Sequence, residues 1–544
     1  MLLNMAVKYD GIERYIFADI YNFGEEYKKG SYTVNNGKST TISADIYANY
    51  TKTIKKHTIF ANAGWNLSDT KYQEYMNTAM GYKDVSMDNY IFGTMYKEDG
   101  SPSGTARTSR TVGVSGVFAY TYDDRYLLDA TIRANGASAF GSDNRWATFW
   151  STGLGWNMHN EAFLKDNDWI ELLKIRGSIG STGNQNFQSN KAIANYKYYM
   201  EDTYANQWDG VYPTNMPNSG LKWEEKMDYN IGLDLKVRRV NFTFDWYRSD
   251  TENMVTSITL PASNGFTSIY ENLGKVRNQG IEASLNVQVL NGKDYFLNVY
   301  GQFATNDNKL IELSDAMKAY NDQQRKIAAE HDRVAPVNLY SEGQHINTIW
   351  AVRSAGIDPI DGFEVYYDKD GNLTKQWKAE NMVACGIKDD KYTGTFGLNG
   401  EYKGIGMNVT FRFLGGGERY NQTLVDKVEN VSLRQNVDKR VATGRWKEVG
   451  QQAQFRRIIS DTELMNNYVI HSSYVRAEGN YTRTTTRFVQ KSNELNLSAI
   501  SVYYDFPRKW LRPIGFEKLR LQANMNDVYK WSTIKIERGT NYPF

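Results

Sequence analysis

The stretch "ASAFGSDNRWATFWSTGLGWNM" (Ala137–Met158) lies between two alternating runs and joins a polar glycine turn to a band of Trp and Phe. So many rings at the turn of a polar chain need a physical reason. Trp and Tyr gather at strand ends where an amphipathic ring can sit at the headgroup level of a bilayer. Trp146, Phe149, Trp150 and Trp156, flanking an alternating segment, fit such an interfacial girdle. The competing explanation is that the same rings pack inside a soluble sheet.

Composition supports β structure. Aromatics make up 14% of the 544 residues, with 39 Tyr, 23 Phe and 13 Trp, yet mean hydropathy is -0.61. Tyr, Trp, Gly, Asn and Thr carry the pattern that Leu, Ile and Val carry in a soluble core, as in sheets with one apolar and one wet face. Nothing resembling a linker interrupts the chain: its 9 prolines are scattered, and there is no Ser/Pro tract or block of like charge. With 64 basic against 62 acidic side chains there is no electrostatic footprint for nucleic acid and no polybasic membrane segment. The single cysteine, Cys385, excludes an intrachain disulfide and reads as a buried or loop thiol. No apolar run reaches the eighteen or so residues of a transmembrane helix, although a barrel strand needs only about ten alternating residues. The start "MLLNMAVKYDGIERY" lacks a signal-peptide pattern, which leaves a cytoplasmic protein or an internal piece of a longer one.

Period-2 alternation recurs throughout. In "TISADIYANY", Ile42, Ala44, Ile46, Ala48 and Tyr50 share one face. "MDYNIGLDLKV" sets Met227, Tyr229, Ile231, Leu233, Leu235 and Val237 against Asp228, Asn230, Asp234 and Lys236, and "KLRLQANMND" repeats the pattern from Leu519 to Asn526. Runs at 111–122, 126–134, 147–157, 172–181, 240–249, 278–290, 295–305, 393–403, 406–414 and 495–504 bring the expectation to about sixteen strands. "KVRRVNF" and "YKGIGMN", around Gly404 to Gly406, read as tight hairpins, whereas 183–226, 306–392 and 415–494 are long, polar and aromatic. Short turns at one end and long loops at the other is the asymmetry of an outer-membrane barrel. "LSDAMKAYNDQQRKIAAE" (313–330) reads as a helix within one such loop.

Chemistry-bearing motifs are sparse. His57, His159, His331, His345 and His471 lie far apart without metal-ligand spacing. "YDKDGN" (367–372) lacks the third oxygen ligand and downstream Glu of a calcium loop and reads as a hairpin through Asp370 and Gly371. "GGG" (415–417) opens no helix and lacks the Lys-Ser/Thr of a phosphate loop. No catalytic, metal or cofactor site is expected. The candidate for ligand contact is "YKYYMEDTYANQWDGVYP" (196–213), where Tyr204, Trp208 and Tyr212 could pack on the C–H faces of sugar rings; loop packing or contact with a partner lid is the alternative.

At this point the phrases resemble a family. "RANGASAFGSDNRWATFWSTGLGWNMHNEAFL" is similar to the strand-turn-strand of SusC/RagA-type TonB-linked (TonB-dependent) outer-membrane transporters. "LLKIRGSIGSTGNQN", "GLKWEEKMDYNIGLD", "NLGKVRNQGIEASL", "AGIDPIDG" and "YDFPRKWL" resemble further landmarks in family order. Asn135 and Ala137 stand where the family usually has Asp and Ser. The resemblance implies an all-β fold, a large antiparallel transmembrane β-barrel of twenty-two strands with long extracellular loops and short periplasmic turns. It also implies a signal peptide, an N-terminal domain, a TonB-contacting segment and a plug ahead of the barrel. None of these is read here, so residues 1–544 are expected to be a partial TonB-dependent receptor barrel domain, with plug and signal peptide outside it. "IERGTNYPF" carries Gly539 and Pro543 where a closing strand should run, so the last strand is expected to lie outside it too.

The implied function is import of oligosaccharides or peptides across the outer membrane of a Gram-negative bacterium. It would be energised through the TonB complex acting by way of the N-terminal region, and shared with a SusD-like surface lipoprotein, in contact with outer-membrane lipids and without nucleic acid. No enzymatic step is implied. A plugless passive or adhesive barrel, and a secreted all-β glycan-binding protein, remain the other readings.

Overall fold

The computed structural model describes residues 2–18, 31–82, 86, 89–96, 103–184, 194–204, 208–259, 265–266, 268–330, 336–430, 438–458 and 482–534, with backbone only at 2–18, 198–204 and 208–209 among others. Among these, fifteen strands run eleven residues or more, against the expected sixteen or so. His331, His471 and the "IERGTNYPF" terminus lie outside the described residues. No described helix is long and apolar enough to cross a membrane. The chain folds as two compact units: residues 1–156 with 178–228 and 252–272, and residues 157–177 with 229–251 and 273–544.

In the first unit Leu2–Ala18, Ser31–Ile54, His57–Met80, Ser103–Tyr122, Tyr126–Ala137 and Trp146–Asn157 form an antiparallel meander. Register lines up the alternation: Ile46 pairs with Trp65, Trp65 with Val114, Ile132 with Trp150, and Leu128 with Leu154. The resulting face is apolar and exposed, Ile132 at 58% and Leu154 at 65%. The opposite face is polar. Asn62 donates to Asn49 (2.5 Å), and Arg133 donates to Asn135 (2.7 Å) and Asn66 (3.2 Å).

The apolar face ends at an ion pair between Arg110 and Asp69 (3.1 Å), next to Ile42 in register. Along His57–Met80 its outward positions are Ile59, Ala61, Ala63, Trp65 and Leu67. Eight steps of about 3.4 Å give about 27 Å along the strand, or about 21 Å at a barrel tilt of about 40°. That approaches the ~25 Å apolar band of an outer-membrane barrel. Beyond the ion pair the strands continue to Ser31 and Met80 on polar pairs, Thr41 with Thr70 (3.1 Å), Asn35 with Glu74 and Thr33 with Thr78 (2.9 Å).

The second unit repeats this logic with Tyr295–Thr305, Tyr392–Tyr402, Ile405–Tyr420, Val489–Asp505, Arg520–Ser532 and the 273–291 part of Ser268–Asn291. Val287, Val299, Leu398, Val409, Ile500 and Met525 lie side by side across six strands. The adjacent row on the other face is Gln288, Asn298, Asn399, Asn408, Ser501 and Asn524, with Asn298 donating to Asn399 (3.1 Å). On that face Arg176 reaches Asp234 (3.2 Å) and Asp245 (2.6 Å). Gly232 leaves room for the guanidinium, which any Cβ there would strike.

Turn lengths are asymmetric within each unit. Lys55–Lys56 and Asp123–Arg125 are tight in the first, and Arg238–Arg239, Gly292–Asp294 and Lys403–Gly404 in the second. Lys403 (φ 49°) and Gly404 (φ 87°) adopt the left-handed pair of a two-residue hairpin, and Gly406 is already in its strand. From the opposite end of the second unit run the connections 306–391 and 421–488, the latter shorter than expected because its strands extend to Tyr420 and from Val489. The "GGG" motif is a bulge in that strand: the register slips between Leu414 and Gly417, Gly416 has φ 79°, and its N–H donates to Asn493 (3.0 Å). The expected loop helix spans Asp315–Glu330, with the Ser314 hydroxyl accepting from the Met317 N–H (3.2 Å).

One aromatic is reassigned. Trp146 (60% exposed) and Trp150 share the outward face with Leu154 and Trp156, but Phe149 is one residue out of phase and buried on the other side. The aromatics nearest the tight turns pair across strands, Tyr126 with Trp156 and Tyr295 with Tyr402.

The face assignment is checked by Ile132→Arg and Thr131→Arg in the full chain reconstituted into vesicles. The outward arginine should cost about 2–4 kcal/mol in urea unfolding. Its neighbour, on the wet face, should cost less than about 1 kcal/mol.

Candidate functional site

The turn of the opening motif is held by a ring stack. Phe140 stacks on Trp223 (4.0 Å between centroids, 22°), Phe149 meets the same indole edge-on (5.7 Å, 64°), and Ala137 completes the cluster. Gly141 passes so close to the Ser219 carbonyl that a Cβ would overlap it. Asn144 donates to the Gly220 carbonyl (3.1 Å). The "GLKWEEK" phrase is tied onward: Lys222 N–H donates to the Asn272 side chain (2.8 Å), whose amide donates back to the Lys222 carbonyl (2.9 Å). The motifs therefore carry architecture, by fixing where loops leave strands.

The aromatic segment forms a separate two-stranded ribbon, Tyr196–Tyr204 with Trp208–Pro213. Register places Trp208 opposite Tyr204 and Tyr212 opposite Lys197, with an irregularity between Asp209 and Gly210. The side chains of Tyr204 and Trp208 lie outside the described residues; Tyr212 is exposed at 42%. The ribbon's base is closed by Thr214 N–H donating to the Asn195 carbonyl (2.7 Å) and Asn195 N–H donating to Asn215 (2.8 Å).

The two long connections of the second unit build a folded module that sequence reading missed. One apolar cluster gathers Ala328, Val337, Leu339, Val352, Tyr366, Ala379 and Met382. A second gathers Tyr420, Leu424, Val425, Val428, Val441, Phe455 and Phe488. Between them sits a buried ionic network. The Arg487 guanidinium donates to both oxygens of Glu429 (2.6 and 2.9 Å) and both of Glu364 (3.2 and 2.8 Å). Glu429 also accepts from the Arg456 N–H (3.1 Å) and the Thr482 hydroxyl. Arg445 caps the carbonyls of Val428 (3.0 Å) and Glu429 (2.5 Å). These residues span 364 to 487, and no local motif announces them.

Burial alone would raise the Glu429 carboxyl, but the charge and hydrogen bonds of Arg487 outweigh it and hold Glu429 below the usual carboxylate range. Burial pushes the Cys385 thiol up to about 12; its Sγ donates to the Ile349 carbonyl (3.2 Å), an inert environment. His345 is buried 3.5 Å from Asp389, and burial lowers its pKa. Among the described residues no group of His, Cys, Asp and Glu could hold a metal. Asp368 accepts from the N–H groups of Asp370 (2.9 Å) and Asn372 (2.8 Å), so "YDKDGN" is a hairpin turn.

Arg487→Met removes the guanidinium that bridges two buried carboxylates, leaving Glu364 without its ion pair and Glu429 with only Thr482, the Arg456 N–H and the more distant Arg456 guanidinium, and should destabilise the module by about 3–5 kcal/mol. Hydrogen exchange should accelerate at 421–430 and 482–488 and stay unchanged at Ile405–Tyr420. Because the folded Glu429 pKa is depressed, its contribution is full above the unfolded value of about 4.3 and is lost as pH falls through the folded one. Acid should reproduce the same exchange pattern in the wild type.

Residues 4–528 match the family described as TonB dependent receptor-like, beta-barrel. Among curated proteins, TonB-dependent receptor P3 of Formosa agariphila is 25% identical over 515 residues, covering 91% of this chain and 48% of that protein. TonB-dependent receptor SusC of Bacteroides thetaiotaomicron is 30% identical over 285 residues, covering 50% of this chain and 28% of that one. The fold is similar to that in the structure of the RagAB peptide transporter, with TM-score 0.81 and 19% identity over 98% of this chain and 56% of that chain. The chain spans about half the length of the longest-matching curated relatives. With strands, faces and family motifs in agreement over nearly the whole length, the chain belongs to the TonB-dependent receptor-like β-barrel family.

Proposed function

We propose that the chain is the barrel part of an outer-membrane importer for oligosaccharides or peptides in a Gram-negative bacterium. It is energised through TonB and works with a SusD-like surface lipoprotein. The family match over residues 4–528 carries this reading. The exposed apolar faces support it, since hydrocarbon requires every strand N–H and C=O to be paired and every outward side chain to be apolar. The long connections supply a docking rim, and no bond of the substrate is broken. On this reading residues 1–544 are part of one barrel domain, with lipid outside and water inside. Tyr204, Trp208 and Tyr212 on the projecting ribbon contact substrate or lid.

The test is uptake of fluorescent oligosaccharides and peptides by cells that carry the gene. Deleting the coding sequence, or adding a protonophore, should reduce uptake to background, and the surface lipoprotein should co-purify with the chain. Uptake that survives the protonophore would favour the plugless passive barrel, as would leakage from liposomes holding this chain alone. Replacing Tyr204, Trp208 and Tyr212 together by Ala should lower uptake or lipoprotein capture about tenfold and leave far-UV CD unchanged.

A further inference from the structure

At the tight-turn end of the second unit one connection is longer than its neighbours. Val489–Asp505 is joined to Arg520–Ser532 by residues 506–519. The Asp505 N–H donates to the Gly404 carbonyl (2.8 Å), so this connection leaves the sheet beside the Lys403–Gly404 hairpin. It folds as a helical turn, Arg508–Leu511, drawn tighter through Ile514 and stopped by Gly515 in the left-handed region (φ 79°). Leu511 is buried and seats the turn.

The rest of the segment faces water with two kinds of side chain. Trp510, Ile514 and Phe516 are each more than half exposed. Trp510 and Ile514 stand four residues apart, as do Arg508 and Arg512, which gathers apolar groups and guanidiniums on separate sides of the turn. Glu517 is the one carboxylate in 506–519, against Arg508, Lys509, Arg512 and Lys518. Among the described residues Arg508, Lys509 and Arg512 form no ion pair, and the carboxylate just ahead of them, Asp505, is held by Arg520 (2.7 Å).

The apolar face of the sheet reaches both ends of this connection. The outward phase of Ile500, Val502 and Tyr504 runs on to Phe506, whose ring meets Tyr504 edge-on (4.7 Å, 68°). That of Met525 and Leu521 runs back to Leu519, whose carbonyl accepts from the Phe506 N–H (3.0 Å). Short turns mark the periplasmic end of an outer-membrane barrel. An exposed Trp with aliphatic neighbours, cations on the other side, is the make-up of a helix that lies in the plane of the headgroups. Because the patch adjoins hydrocarbon-facing rows, the bilayer is its immediate neighbour, which favours lipid over a protein partner.

We infer that 506–519 is an interfacial anchor on the periplasmic leaflet. Trp510, Ile514 and Phe516 enter the boundary between headgroups and acyl chains, and Arg508, Lys509 and Arg512 hold the phosphates of anionic phospholipids. The inference rests on the outer-membrane reading, which supplies the bilayer.

The test uses the full chain in vesicles of equimolar phosphatidylcholine and phosphatidylglycerol. Bimane is attached at Ile514→Cys, with the inert Cys385 of the unsubstituted chain as the blank. It should be quenched by lipid carrying a nitroxide near the headgroup and be shielded from aqueous iodide. A second label, at Ile132→Cys on the outward face, separates two failures. If neither label meets the lipid quencher, the barrel reading falls too; if Ile132→Cys does and Ile514→Cys does not, this inference alone is overturned. Shielding of Ile514→Cys from both quenchers overturns it in favour of a protein partner. Spin-labelled lipids then read headgroup preference. The chain should favour phosphatidylglycerol over phosphatidylcholine, less so in high salt. Arg508→Gln, Lys509→Gln and Arg512→Gln together should lower that ratio at least about twofold. Lys326→Gln, Lys378→Gln and Lys447→Gln, which remove the same charge from the long connections, should not. Absence of a preference, or an equal loss in both triple variants, overturns the assignment.

Discussion

Register is the constraint on which each sheet depends. In the second unit the row Val287, Val299, Leu398, Val409, Ile500, Met525 is wholly apolar, and the row one residue away, Gln288 to Asn524, is wholly polar. A slip of one residue that brings this row outward would carry a Gln, Asn or Ser into the apolar face and an aliphatic side chain into the wet one, because the side-chain period is two. The tight turns hold the register: Lys403–Gly404 admits only one pairing of Tyr402 with Ile405. Polar ladders then face inward at little cost, and charges such as Arg176 with Asp234 and Asp245 find partners there.

How much of this was legible follows from what produces alternation. Ile42–Tyr50, Met227–Val237 and Leu519–Met525 were readable because one face is lipophilic and the other hydrophilic in successive residues. The same strands outrun those limits. Ser31–Ile54 begins eleven residues before Ile42, on Thr33, Asn35 and Thr41, whose partners Thr78, Glu74 and Thr70 are equally polar. With both faces wet, pairing continues but the hydropathy signal disappears. His57–Met80 carries a weak signal for a related reason, since Ala61, Ala63 and Gly64 dilute the contrast around Trp65 and Leu67. Phe149 shows the limit of composition: its ring suits a girdle, but its phase sends it to Trp223.

The loop module was illegible because its decisive contacts are non-local. Glu364 belongs to the 306–391 connection and Glu429, Arg456 and Arg487 to the 421–488 connection. Arg487 thereby clamps one connection to the other, assisted by Val352 N–H donating to the Thr484 carbonyl (3.2 Å) and Ser354 N–H to the Thr486 hydroxyl (3.1 Å). A buried ion pair is a poor source of net stability, because desolvation offsets most of the Coulomb gain. It is a strong source of specificity, since a guanidinium forked onto two carboxylates accepts few alternative arrangements.

That difference separates the two halves of the architecture. The sheet rows are generic: any aliphatic outward and any amide inward satisfies them, so sheet sequence can drift while the fold persists, as with a 19% identical chain of the same fold. Residue-specific geometry is instead concentrated in elements that particular side chains fix. In the second unit those are the two connections, where Tyr366 and Arg456 belong at once to the ionic surroundings of Glu429 and to the wall of a cleft of about 1020 Å³. Because one network holds the fold of the module and shapes its opening, sequence drift in the connections is expected to reach exposed lining residues such as Lys326, which the network does not use, before it reaches Arg487.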